Sequence, residues 1–550
     1  MLNVLPLFSL ISCGSKDTVS EEATVIEGVD GKDGRDGING SNGTNGTNGI
    51  TTVFDAQEEP AGVNCEFGGT AITYGFDLNY NGLLDVGEAV SVFYLCNGAN
   101  GESPEGITNY WGGDSESPFT YNGDVSFTQF GDMLAFCQSY NAIDGNLTIS
   151  STLLTETNDL ECIEAIRGDL RIESNSRLEE IRFANLRILG GDIVIQNNAQ
   201  LEIIEFDRLE IIDKSYIVQS NEILHTIRMP YLSFVGFDFL QEGHFTLSQN
   251  PALTILDAEK LQVIQNDFIM DNNGFVDIDG LDLLRHVGGN FSVSNNAVLE
   301  TFSSLSTFER VGNHLNFSQN PSLLNVDGFS KLFFVGGSID MQGHELLQSF
   351  NLPMLRYVGH ADGIYIGYNP LLQVLLTPAL DTIYGRYVVE YNDSLSVIDI
   401  AFLEESTDQI SITNNALLVG IDLSSLVDAN EILISNNAVL SQFSLPSLDV
   451  ATKIQIDNNV ALTAIDMSSL HTLRRQVSVS EHPLLISVDM TALTTLEHQN
   501  WFGEYYIILT FLNNPQFSVD QTFYDSVILN SLGNTCESFG YTCTQYSGNL

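Results

Sequence analysis

The sequence predicts an all-β fold, a solenoid of about 15 stacked coils with a short capping helix at its N-terminal end, and three observations predict it. First, a phrase recurs: QISITNNALLVGI from Gln409, EILISNNAVLSQF from Glu431 and KIQIDNNVALTAI from Lys453 stand 22 residues apart. The second Asn of each pair, at Asn415, Asn437 and Asn459, has counterparts back to Asn175 and forward to Asn514, with His344 and His482 in two of the places. A fixed period of about 20–30 residues marks a unit that buries its apolar face only by stacking on its neighbours. Second, Ile193 and Ile195, Phe291 and Val293, and Ile432 and Ile434 alternate with outward residues, and a period of two means strands. Third, no unit has room for an amphipathic helix, so each coil is two or three short strands joined by turns.

Stacking places the Asn positions in one column. Inward amides there satisfy backbone groups of a buried turn, which makes the column structural. His344 and His482 read as substitutes in it, not as ligands or bases.

Composition narrows the partners. Acidic residues outnumber basic ones 71 to 20, a net charge of -51, so the surface repels nucleic acid and anionic lipid. A saline setting or bound Ca²⁺ relieves that self-repulsion.

In chain order, residues 1–12 form an apolar run placed as a signal peptide would be and too short to span a bilayer. Leu10-Ile11-Ser12-Cys13 resembles the lipobox of bacterial lipoproteins, and the resemblance implies cleavage before Cys13, lipidation of its sulfur and sorting to the outer membrane. Residues 13–27 are an acidic tether. From 28 to 49 Gly falls at every third place, which is the collagen period. The run has no Pro and reads as a flexible spacer, with a triple helix as the alternative.

Residues 64–98 form a small module between Cys65 and Cys96. Within it Asp77, Asn79, Asn81, Gly82, Asp85 and Glu88 fall at places 1, 3, 5, 6, 9 and 12 of a calcium-type loop, with the Leu83 carbonyl at place 7. Oxygens so spaced converge on one hard cation. Its flanks look like strands, so the loop belongs to a β module rather than an EF-hand, and a tight polar turn is the other reading. A linker follows over 99–124, then a helix from about Phe127 to Cys137, the repeats over 125–535 and a cap over 536–550. The remaining cysteines pair locally, Cys137 with Cys162 and Cys536 with Cys543, as Cys65 does with Cys96. Disulfides imply an oxidising compartment.

The capping helix with its cysteine, the phrase Ile143 to Ile149, and the pattern from Leu186 to Leu201 resemble the receptor L domain, the leucine-rich, right-handed β-helical module of receptor ectodomains, over about 125–535. In this chain Leu follows the ladder Asn by three residues, at Leu178, Leu201, Leu299, Leu418 and Leu440; ordinary leucine-rich repeats place it two after. The resemblance implies a recognition surface.

The outward positions of the long sheet are mostly small and neutral, with no repeated carboxylate pair, which is poor material for acid/base catalysis. Tyr365, Tyr368 and Tyr391 are its one concentration of aromatics and mark the candidate contact for a glycan or protein ligand. The expectation is therefore a lipid-anchored surface protein that holds a rigid rod out for adhesion or ligand binding, not an enzyme. Two alternatives stay open. One is a polysaccharide-degrading β-helix using Asp238, Glu242, Glu497 or Glu504 with His244 or His498; the other is a structural stalk, monomeric or trimeric through the Gly triplets.

Overall fold

The computed structural model describes residues 51–61, 69–77, 84, 89–96, 119–236, 243–359, 362–496 and 508–517. Three antiparallel strands come first, Thr51–Glu59, Gly69–Asp77 and Ala89–Cys96. The first of these precedes the module expected at 64–98, yet it pairs with the second along its whole length, from Thr51 opposite Asp77 to Glu59 opposite Gly69.

From Thr120 onward the described chain is a parallel β-solenoid of about 16 turns with very little helix. Each coil after the first carries a face strand of four or more residues, such as Ile193–Gln196, and most carry a two-residue corner strand before it, such as Ile188–Leu189. A flank strand such as Ile203–Glu205 follows in many coils. Equivalent residues of successive coils are in register, Ile193 beside Tyr216 and Ile195 beside Val218. The inward residue of every other position enters one continuous core that runs from Phe127 to Phe517.

The first coil begins earlier than expected. Thr120–Asn122 pairs with Ala142–Asp144, and Val125–Phe127 with the strand at Leu147, so the linker expected to reach 124 ends before Thr120. Phe127 is buried in that strand, and the capping helix therefore starts at Phe130 and ends at Cys137. It drops Met133 into the core, and Cys137 is joined to Cys162 across a Cα separation of 5.5 Å. Tyr121, Phe127, Phe136 and Tyr140 close that end with edge and tilted ring contacts at 5.2 to 5.8 Å.

The Asn column is a hydrogen-bonded ladder. The Asn175 amide N–H donates to Asn198 Oδ1 at 3.1 Å, Asn198 in turn to Asn221 Oδ1 at 3.0 Å, and Asn437 to Asn459 Oδ1 at 3.0 Å. Each side-chain Nδ2 reaches back to a strand carbonyl, as Asn437 does to Ile412 O at 2.9 Å. His482 fits the same role with its ring: Nδ1 accepts the Asn459 N–H at 3.2 Å and Nε2 lies 3.0 Å from Ile456 O. Thr152 heads the column, donating to Asn175 Oδ1 through both its backbone N–H and its hydroxyl. A coil headed by Thr carries no Asn, so the sequence count of 15 passed over it.

A second ladder runs beside the first at the corner. The backbone N–H of Asp169 donates to Asn146 Oδ1 at 2.7 Å, that of Asp192 to Asp169 Oδ1 at 3.0 Å, and that of Ser215 to Asp192 Oδ1 at 2.9 Å. It continues through Asp267, Asn290, His314 and Ser338. Each side chain satisfies a strand-entry N–H that the bend leaves without a strand partner.

Candidate ligand-binding face

A third column shapes the surface. The residue just before each ladder position has positive φ, between 51° and 62°, in every described coil from Ser151 to Asn513 that has a side chain there, and Gly343 holds the place with φ 74°. Asn, Ser and Gln fill most places because their short polar chains tolerate the left-handed region. Glu481, Tyr368 and Tyr391 are the exceptions, and only the last two carry rings. A bulky ring held at φ 57° or 55° costs on the order of 1–2 kcal/mol.

The two rings lie in successive coils, stacked with centroids 5.0 Å apart and planes 12° from parallel, and they are 52% and 44% exposed. Tyr365 lies flat over Gly367, where a Cβ would meet its ring and hydroxyl at 2.7 to 3.0 Å. Its hydroxyl donates to Glu390 Oε1 at 2.9 Å. Burial, and then Glu390 itself, push that phenol upward, so it stays protonated. The three tyrosines named from sequence are thus neighbours on one face, with Tyr368 and Tyr391 presented outward and Tyr365 fixed beneath by Glu390.

Beside Tyr365 in the preceding coil stands Asp340. Burial raises its carboxyl, and the two bonds from Gln342 Nε2, at 2.8 and 3.0 Å, act the other way. Asp340 also lines a depression of about 390 Å³ with Ile269, Asn290, Ser292, His314, Asn316 and Ser338. Among the described residues Asn316 Oδ1 is buried there without a partner. The sequence reading did not assign Asp340, Gln342 or Glu390 to the site. Its visible signal was the departure from the Asn-Asn pair at Gly367-Tyr368-Asn369 and Glu390-Tyr391-Asn392.

Other expected site residues fall elsewhere. Asp77 is the last residue of its strand and Cys96 the last of its own. Asn79, Asn81, Gly82, Leu83, Asp85, Glu88, Cys13, Cys65, Cys536 and Cys543 lie outside the described residues, as do Asp238, Glu242, Glu497, His498 and Glu504. His244 is described; its Nδ1 sits 3.1 Å from Asp267 Oδ2, within the corner ladder.

Comparison with known proteins agrees with the repeat architecture. Residues 137–263 match the model of the Receptor L domain, and residues 52–96 match that of a domain of unknown function, DUF7151. No curated protein matches the chain. A solved structure titled as the crystal structure of a TLR13–ssRNA13 complex is similar at 12% identity over 70% of this chain and 83% of that one. Its TM-score is 0.15. The solenoid and the Receptor L match are consistent with a ligand-binding repeat protein.

Proposed function

We propose that the chain is a lipid-anchored protein of the outer membrane that presents its solenoid for adhesion or for binding an extracellular glycan or protein ligand. The contact is the face of Tyr365, Tyr368 and Tyr391. One observation carries this reading: two exposed tyrosines occupy a strained backbone position that most other coils give to Asn, Ser or Gln. Residues in such conformations gather at functional sites, and flat exposed rings are good anchors for a ligand. Lipidation of Cys13 tethers the rod, the glycine run over 28–49 spaces it from the membrane, and Ca²⁺ bound by Asp77, Asn79, Asn81, Leu83, Asp85 and Glu88 orders the small module.

The test is saturable binding of the full chain to an array of glycans and envelope polymers, with and without Ca²⁺, while cleavage products are monitored. Tyr368→Asn and Tyr391→Asn keep the backbone preference and remove the rings. Loss of binding of at least about tenfold, some 1.4 kcal/mol, is expected for each. Released product would overturn the binding reading in favour of an enzyme.

A further inference from the structure

The tyrosine pair does not stand in an unbroken column. In successive coils the left-handed place is held by Gln319, Gly343, Tyr368, Tyr391 and Asn414. Tyr391 covers one face of the Tyr368 ring. On the other side stands Gly343, which has no side chain, and a Cβ built on it meets nothing within 4 Å. Coils stack about 4.8 Å apart, so the column skips one layer of about that thickness. One flat or saturated ring fills such a layer.

Polar residues stand on the strands beside it. Asp340 and Gln342 belong to the same coil as Gly343, and Asn316, with its buried unpartnered Oδ1, to the coil before. These are mainly acceptors. An aromatic side chain entering here would return no hydrogen bond to the exposed acceptors beside it. A sugar ring presents C–H groups to Tyr368 and donates its hydroxyls to the acceptors Gln342 Oε1 and Asp340. The carboxylates Asp340 and Glu390, on a chain of net charge -51, disfavour uronic acids and nucleotides.

Building on the tyrosine-face reading, we propose that the vacant place at Gly343 is a slot for one uncharged pyranose ring, stacked on the free face of Tyr368 and hydrogen-bonded through its hydroxyls to Gln342 and Asp340. The depression beyond Asp340 continues the site for an adjoining sugar of the same chain.

Gly343→Asn tests it without disturbing the fold, because Asn already occupies this column at Asn295 and Asn414 with the same sign of φ. Titrate the full chain with neutral gluco-, manno- and galacto-oligosaccharides, with oligouronates, and with a Phe- and Trp-containing peptide, and follow thermal unfolding in parallel. Binding of a neutral oligosaccharide, weakened at least tenfold by Gly343→Asn at an unchanged or higher Tm, is the expected result. Binding lost in Tyr368→Asn but kept in Gly343→Asn would overturn the slot and leave the tyrosine face standing. Sugar binding indifferent to both variants would overturn the face itself. Preference for the aromatic peptide or for oligouronates would overturn the ligand class.

Discussion

Coils before and after residue 405 turn the same corner differently. In most of the earlier ones three residues separate corner strand from face strand, as Gly190-Gly191-Asp192 do between Leu189 and Ile193. In the coil at Asp428–Ser435 only Asn430 and Glu431 stand between Ala429 and Ile432, and the two strands are one. Coils that keep three residues within a fused strand absorb the extra one as a bulge, as at Ser406 to Gln409. The fused corner therefore takes two residues, or three with a bulge, where the sharp bend takes three without one. The bend also brings its own requirements. Successive bends nest so closely that a Cβ on Gly312 would overlap the carbonyl oxygen of Gly288, and the corner ladder supplies acceptors for the amides the bend strands. The fused coils need neither. The core differs in parallel: Tyr216, Phe245, Phe268 and Phe291 stack inward with centroids 4.6 to 5.7 Å apart, whereas Ile410, Ile432, Ile454 and Val477 occupy the same inward row later.

The sharpest way to break this contrast is at the corner itself. Gly312→Ala forces two backbones apart and is expected to cost about 3 kcal/mol or more. Asn430→Ala, at the fused corner, is expected to stay within about 0.5 kcal/mol. Urea unfolding of both variants decides it, and equal losses would mean that the glycine bend is not what the earlier coils depend on.

The Asn ladder crosses the boundary unchanged, so its cost should not distinguish the two regions. Asn198→Ala and Asn437→Ala each leave a buried N–H and a buried carbonyl without their side-chain partner. A loss of roughly 2–3 kcal/mol is expected for both, and a difference of more than about 1 kcal/mol between them would show that the ladder is supported differently by bent and fused coils.

What could be read in the sequence was what repeats by identity. The Asn column, the period-two strands and the absence of repeat helices follow from residues that recur unchanged. The corner ladder escaped notice because Asn, Asp, Ser and His all provide an acceptor there, so chemistry recurs while identity does not. Thr152 hid a coil for the same reason. At the binding face Tyr365, Tyr368 and Tyr391 were visible as aromatics, but the strain on two of them and the gap at Gly343 are properties of a backbone column, seen only once register and φ are known.

Tyr368→Asn sharpens that last point on the stability side. Relief of a left-handed tyrosine is expected to raise stability by about 1 kcal/mol, less whatever the stacking with Tyr391 contributes. Ser318→Ala on the same sheet, with no left-handed strain to relieve, should change it by less. A destabilised Tyr368→Asn would mean that the ring pair is part of the fold's support and not held against it.

The smallest expected effect lies in the Asn column where His344 stands in. Its Nε2 is 3.2 Å from Phe317 O and its Nδ1 3.1 Å from Asn320 O. Burial holds its pKa below the usual 6.5, outweighing those two carbonyls, which act to raise it. The unfolded chain therefore takes up a proton before the folded one does. The contribution of His344 to stability is complete above about pH 6.5 and declines as the pH falls from there toward the lower folded value, by at most about 1.4 kcal/mol per pH unit. His344→Asn keeps an amide in the column and has no proton to gain. Its stability relative to the parent chain should be level at pH 7 to 8 and should rise as the pH is lowered to 5; a constant offset across that range would mean that the ring does not titrate on unfolding.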